Sequence, residues 1–143
     1  MAIAKMYGSF IAKALNKEID WDSDEIKVAL FTEDFVPNQD TQEYFDDLSG
    51  EVPNGDGYTT GGVTLTNKTI TYNPADNSVT IDADDVVWTD ASISARYAVI
   101  YDNTPTTNKP LIAYIDFGST MSSTNANFSL VFADDGIAKF TTP

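Results

Sequence analysis

Asp82, Asp84 and Asp85 crowd into the run SVTIDADDVVWTD over residues 78–90, and Asp20, Asp22, Asp24 and Glu25 alternate in a second acid run. Clusters of this kind can grip calcium, position a proton transfer, or turn the chain between two strands. A calcium loop of the EF-hand type needs a glycine at its sharp bend and a distal bidentate glutamate. Neither run supplies them. In the first, Val79 and Ile81 alternate with Thr80 and Asp82, and Val86-Val87-Trp88 then resumes an apolar run. Asp84 and Asp85 therefore sit between strands, where aspartate competes for backbone hydrogen bonds. The second run reads in the same way, as a solvated turn ahead of a strand. The turn is the expected reading at both places, with a non-standard calcium site on Asp82, Asp84 and a carbonyl, or a metal at the second run, as the alternative.

The chain has no histidine and no cysteine. That removes Ser-His-Asp and Cys-His catalysis, thiolate metal sites and disulfides. Carboxylate-pair chemistry of the glycosidase kind survives in principle. With 22 acids, some such pair arises by chance and carries little information. No catalytic residue and no cofactor is expected. Trp21, Trp88 and the seven tyrosines could form a sugar-binding face, but Trp88 lies in an apolar strand and reads as core. Trp21 reads as a staple between a helix and a sheet.

The elements that must carry these residues follow from periodicity. Ile3, Met6, Tyr7, Phe10, Ile11, Ala14 and Leu15 recur at helical spacing, which predicts an N-terminal α-helix within residues 1–18. Its stripe has two readings: packing on the chain's own sheet, or docking on a neighbouring subunit. In the second, Ile3, Lys5, Met6, Tyr7, Phe10, Ile11 and Lys13 form the candidate subunit interface. A short second helix is expected over 42–48, capped by Asp40 or Thr41 with Glu43 completing the box. Strands are expected at 26–32, 63–72, 78–83, 85–89, 93–102, 111–117, 126–132 and 136–141. The runs Tyr97–Tyr101 and Leu111–Ile115 are apolar on both faces, so they belong at the centre, between a facing sheet and the N-terminal helix. Short strands at this spacing point to a mainly β fold: an antiparallel β-sandwich, jelly-roll or Ig-like, over 26–141. The whole chain, 1–143, reads as a single domain.

The formal net charge is −14, with residues 1–17 at +3 and the remainder at −17. So acidic a body repels phosphate backbones, and nucleic acid is not an expected partner. No apolar run reaches membrane-spanning length, and the first residues lack a signal-peptide core. Synthesis in a cytoplasm is the default expectation.

Several ordered segments add a further reading: KALNKEIDWDSDEIKVALFT at 13–32, VPNQDTQEYFDDL at 36–48, GYTTGGVTLTNKTITY at 57–72, IDADDVVWTDASISARYAVIYD at 81–102 and PLIAYIDFGSTMSS at 110–123. Together they resemble a family of small virion proteins of tailed bacteriophages, encoded among head and tail structural genes. The resemblance spans nearly the whole chain. It implies a non-enzymatic virion protein, foremost a capsid decoration or cement protein. The implied partners are the major capsid protein or other virion proteins, in many copies or as a homo-oligomer. A neck or tail component and a carbohydrate-binding adhesin module are the alternatives.

Overall fold

The computed structural model describes residues 3–143. Its architecture is mainly β, with every strand pairing antiparallel. Ten strands form: β1 (Ala4–Met6), β2 (Ile26–Phe31), β3 (Val63–Thr64), β4 (Thr69–Asn73), β5 (Ser78–Asp82), β6 (Val86–Ala91), β7 (Ser94–Asp102), β8 (Leu111–Ser122), β9 (Ala126–Leu130) and β10 (Ala138–Thr141). They make a five-stranded sheet in the order β1-β8-β7-β2-β3, a three-stranded sheet β10-β5-β4, and the pair β6-β9. No helix among the described residues is long and apolar enough to cross a membrane.

The centre is where composition demands it. The run Ile26-Lys-Val-Ala-Leu-Phe31 pairs with β7 without interruption, from Ile26 opposite Asp102 to Phe31 opposite Tyr97. Strands buried on both faces must be apolar on both, and β2, β7 and the first half of β8 are. One face carries Ile26, Val28, Leu30, Ala98, Ile100 and Ile112, packed with Phe10, Trp21, Trp88 and Phe128. The other carries Ala29, Phe31, Val99, Tyr101 and Leu111.

That second face corrects an expectation, because the N-terminal helix does not cover it. Tyr7, Phe35, Phe45 and Leu48 do, three of them from the segment between β2 and β3. Phe45 stacks on Tyr101 at 3.8 Å between centroids, and Phe35 meets Tyr97 edge-on at 5.4 Å. Helix α1 (Phe10–Leu15) packs instead on the first face, through Phe10.

The N-terminal helix is also much shorter than its period suggests. Met1 and Ala2 lie outside the described residues, and 4–6 are a strand, in register with Ile115, Tyr114 and Ala113 of β8. Tyr7 N continues that ladder to Ile112 O at 3.0 Å, and Gly8 N turns to Gln39 O at 2.9 Å. A short isolated helix is marginal in water, and Gly8 weakens it by a further ~1 kcal/mol. The open edge of β8 offers better-satisfied backbone, so the chain pairs first and coils only from Phe10.

The expected 42–48 helix shrinks to a single 3₁₀ turn, Phe45–Asp47. Phe45 N bonds to Lys109 O (2.8 Å) and Leu111 N to Glu43 O (2.9 Å), which holds this stretch extended against the start of β8. The cap also moves. Asn38 Oδ1 accepts from the N–H groups of Asp40 and Thr41, while Gln42 Oε1 accepts from Asn38 N. The side chains of Asp40 and Glu43 take no part in it.

The remaining strands fall within a few residues of expectation, with two exceptions. The 63–72 run breaks into β3, which pairs with β2, and β4, which pairs with β5. Strand β8 extends to Ser122, past a bulge where Asp116 opposite Tyr97 gives way to Met121 opposite Ala95.

Candidate functional site

The acid run at 82–85 is a junction between β5 and β6, and its carboxylates serve different partners. Asp82 Oδ1 accepts from Ala83 N at 2.9 Å. Asp84 Oδ2 takes the Asn67 side-chain amide, and Asp85 Oδ1 takes Phe132 N at 2.9 Å. The arrangement ties three chain segments together, which is what a turn aspartate does. Among the described residues, no group of three or more acidic side chains is placed to share a metal ion.

The residues of the candidate subunit interface do not share one face. Tyr7 and Phe10 are core, Met6 is half-buried, and Ile3, Lys5 and Ile11 stay on the surface. Lys13 turns inward. Its Nζ donates to Tyr44 Oη at 3.0 Å, lies 4.3 Å from the centre of that ring, and faces Glu43 at 3.3 Å and Glu18 at 3.9 Å. Burial pulls the ammonium pKa down, but the Tyr44 and Glu43 hydrogen bonds more than offset this and hold it above the usual lysine value. Lys13→Met should therefore lower stability in urea unfolding by about 1–2 kcal/mol, because the half-exposed carboxylates regain water when the ammonium is lost. An unchanged midpoint would show that Lys13 is a surface group in solution.

A half-buried polar cluster and a buried carboxyl escape sequence reading. The first is centred on Glu51. Tyr58 Oη donates to its Oε2 at 2.7 Å and accepts from Leu30 N at 3.0 Å, while Gly61 N donates to the same Oε2 at 2.6 Å. Tyr101 Oη closes the cluster on Gly61 O at 2.6 Å. It fastens the 51–62 loop over β2, and burial drives the Tyr58 hydroxyl pKa far up.

The second is Asp102, the last residue of β7 and fully buried. Its Oδ1 accepts from Thr104 N at 3.0 Å, while Oδ2 has no donor among the described residues. The carboxyl of Asp24 stands within hydrogen-bonding reach. Burial, and then the facing Asp24, push the Asp102 pKa up to about 7. Only an acid directly after the apolar run Tyr97–Tyr101 marked this position in the sequence.

Among the described residues, apolar side chains line several surface grooves. One, of about 540 Å³, runs between α1 and the three-stranded sheet, lined by Phe10, Ile11, Ala14, Ile70, Ile81 and Phe140. Another, of about 550 Å³, lies between β8 and β9 and includes Ile3, Phe117, Met121 and Val131. Trp21 and Trp88 are both in the core, the first donating from Nε1 to Thr69 O at 2.9 Å. Among the described residues, Tyr72 is the one aromatic side chain that is largely exposed. No protein-family model matches the chain, and neither a curated protein nor a solved structure does.

Proposed function

We propose that this chain is a non-enzymatic structural protein of a tailed-phage virion, a decoration or cement protein that binds the head shell and stabilises it. In this reading the three sheets stack as a β-sandwich of jelly-roll or Ig-like type. The ordered segment resemblance supports the assignment. The observation that carries it against the sugar-binding alternative is the burial of both tryptophans, which leaves no exposed aromatic platform among the described residues. A net charge of −14 suits a basic partner surface reached by electrostatic steering. A protein that binds only the finished shell stabilises that state by mass action.

Sedimentation with and without undecorated shells tests this. Saturable, stoichiometric co-sedimentation that weakens as salt rises is the expected result, since exposed charges are screened beyond ~10 Å at 0.1 M. Ile11→Ser, in the groove beside α1, should reduce co-sedimentation without lowering the melting temperature, because the side chain is 44% exposed. Absence of shell binding at every salt concentration would overturn the decoration assignment and favour a neck or tail location.

A further inference from the structure

We propose that two copies of this chain join through the free edges of β4, so that their three-stranded sheets run on as one sheet across a two-fold axis. This names a surface and a symmetry, and it does not depend on the virion assignment. The starting point is an uncovered edge strand. β4 ends the order β10-β5-β4, and all five of its residues are exposed. Ile70 and Tyr72 keep 56% and 59% of their surface in water. They stand on the same face as Ile81 and Val79, the β5 residues opposite them.

The ladder decides which main-chain groups lie on that edge. Thr142 N donates to Asn77 O at 3.0 Å and Ile137 N to Ile81 O at 2.8 Å, so the odd-numbered residues along β5 turn their polar groups to β10. The even-numbered Ser78, Thr80 and Asp82 then bond Asn73, Thr71 and Thr69 of β4. The N–H and C=O of Ile70 and Tyr72 are left on the outer edge, a template for another strand.

The β4 sequence TITYN complements itself. With a second copy antiparallel and the axis at Thr71, Ile70 lies opposite the partner's Tyr72, and Tyr72 opposite the partner's Ile70. These are the residues whose main chains face outward, so each pair exchanges both of its hydrogen bonds. An aromatic opposite a β-branched side chain is a favoured cross-strand pair, and symmetry makes it twice. Pro74, which has no N–H, ends the ladder.

Charge also favours this edge. Copies at −14 repel each other, yet residues 57–75 hold Lys68 and no acid. Lys68 offsets the acidic 20–24 loop beside it, its Nζ donating to Asp22 O at 3.3 Å. Beyond the strand, Asp76 is paired with Lys139 at 2.9 Å.

Sedimentation equilibrium of the native chain should show a monomer–dimer equilibrium that tightens as salt rises, the reverse of the salt effect on shell binding. Ile70→Pro removes an outward N–H and leaves the β4–β5 ladder whole. It should weaken the dimer by about 100-fold or more, with far-UV circular dichroism unchanged. Thiols read the register, since the chain has no cysteine. Thr71→Cys sets two thiols on the axis at the ~4.5 Å Cα spacing of a non-hydrogen-bonded pair, within disulfide reach, and should cross-link under mild oxidation. Asn73→Cys sets them about 14 Å apart and should not. The thiol pair holds whether or not Ile70→Pro folds. A native chain that stays monomeric up to millimolar concentration would overturn the proposal. A dimer that survives Ile70→Pro, or equal cross-linking of the two thiol variants, would put the contact on another face and overturn it as well.

Discussion

Gly62→Ala is expected to destabilise the protein by about 3–5 kcal/mol, enough to lower the melting temperature by roughly 10 °C or more. Gly62 has φ +79°, where an L side chain is strained. A Cβ there would stand 1.9 Å from Val28 O and 2.7 Å from Ala29 Cα. Both are backbone atoms of β2 in the middle of the main sheet, so no flexible side chain can yield. The loop must lift, and with it β3 and the Tyr101 to Gly61 bond. Gly118→Ala is the control. It shares the left-handed backbone, with φ +86°, but its Cβ would meet nothing within 4 Å. It should cost only about 1 kcal/mol. The difference in urea midpoint between the two variants isolates the contact with β2. Equal losses would mean that left-handed strain alone matters at Gly62.

The second large effect is a dependence of stability on pH. Asp102 has a folded pKa of about 7 against about 3.9 in an unfolded chain. The folded state therefore holds a proton that the unfolded state releases as pH rises through 4. Stability contributed by this group is complete below about pH 4, declines between about 4 and 7, and levels off once the folded form has also lost its proton. The decline is about 2–4 kcal/mol, with the partial exposure of Asp24 setting the lower figure. Asp102→Asn should flatten that part of the profile and be more stable than the parent chain at pH 8. The measurement is urea unfolding of both chains between pH 4 and 8 with divalent ions chelated. Parallel profiles would falsify the assignment of the raised pKa to Asp102.

Much of the β framework is legible in the order of the amino acids. The alternation of Val79, Ile81 and Val86, and the doubly apolar runs at 97–101 and 111–115, locate strands because the side-chain period of a strand is local. Trp88 as core follows for the same reason. The N-terminal stripe misleads because a helical spacing of apolar residues also fits a short strand, a glycine turn and a short helix. Ala4 and Met6 turn toward the core as alternate residues of β1, while Phe10 does so from α1. Which description holds depends on the open edge of β8, and nothing in residues 3–15 reports it.

The buried and half-buried polar groups lie outside sequence reading for a related reason. Glu51 looks like any loop acid until Tyr58, Gly61 and the strand beneath it close around it. Lys13 looks like the polar flank of a helix until Tyr44, Glu43 and Glu18 arrive from other segments.

Sequence alone established an antiparallel β chain, strongly acidic, without imidazole or thiol chemistry, whose acid run at 82–85 turns one strand into the next. Those properties rest on composition and on neighbours a few residues apart. Tertiary structure alone set the strand fate of residues 4–6, the inward turn of Lys13, and the meeting of Asp24 with Asp102. Each depends on groups from distant parts of the chain, brought together by the pairing of β1 with β8 and of β2 with β7. Burial then gives those groups energies that no local pattern encodes.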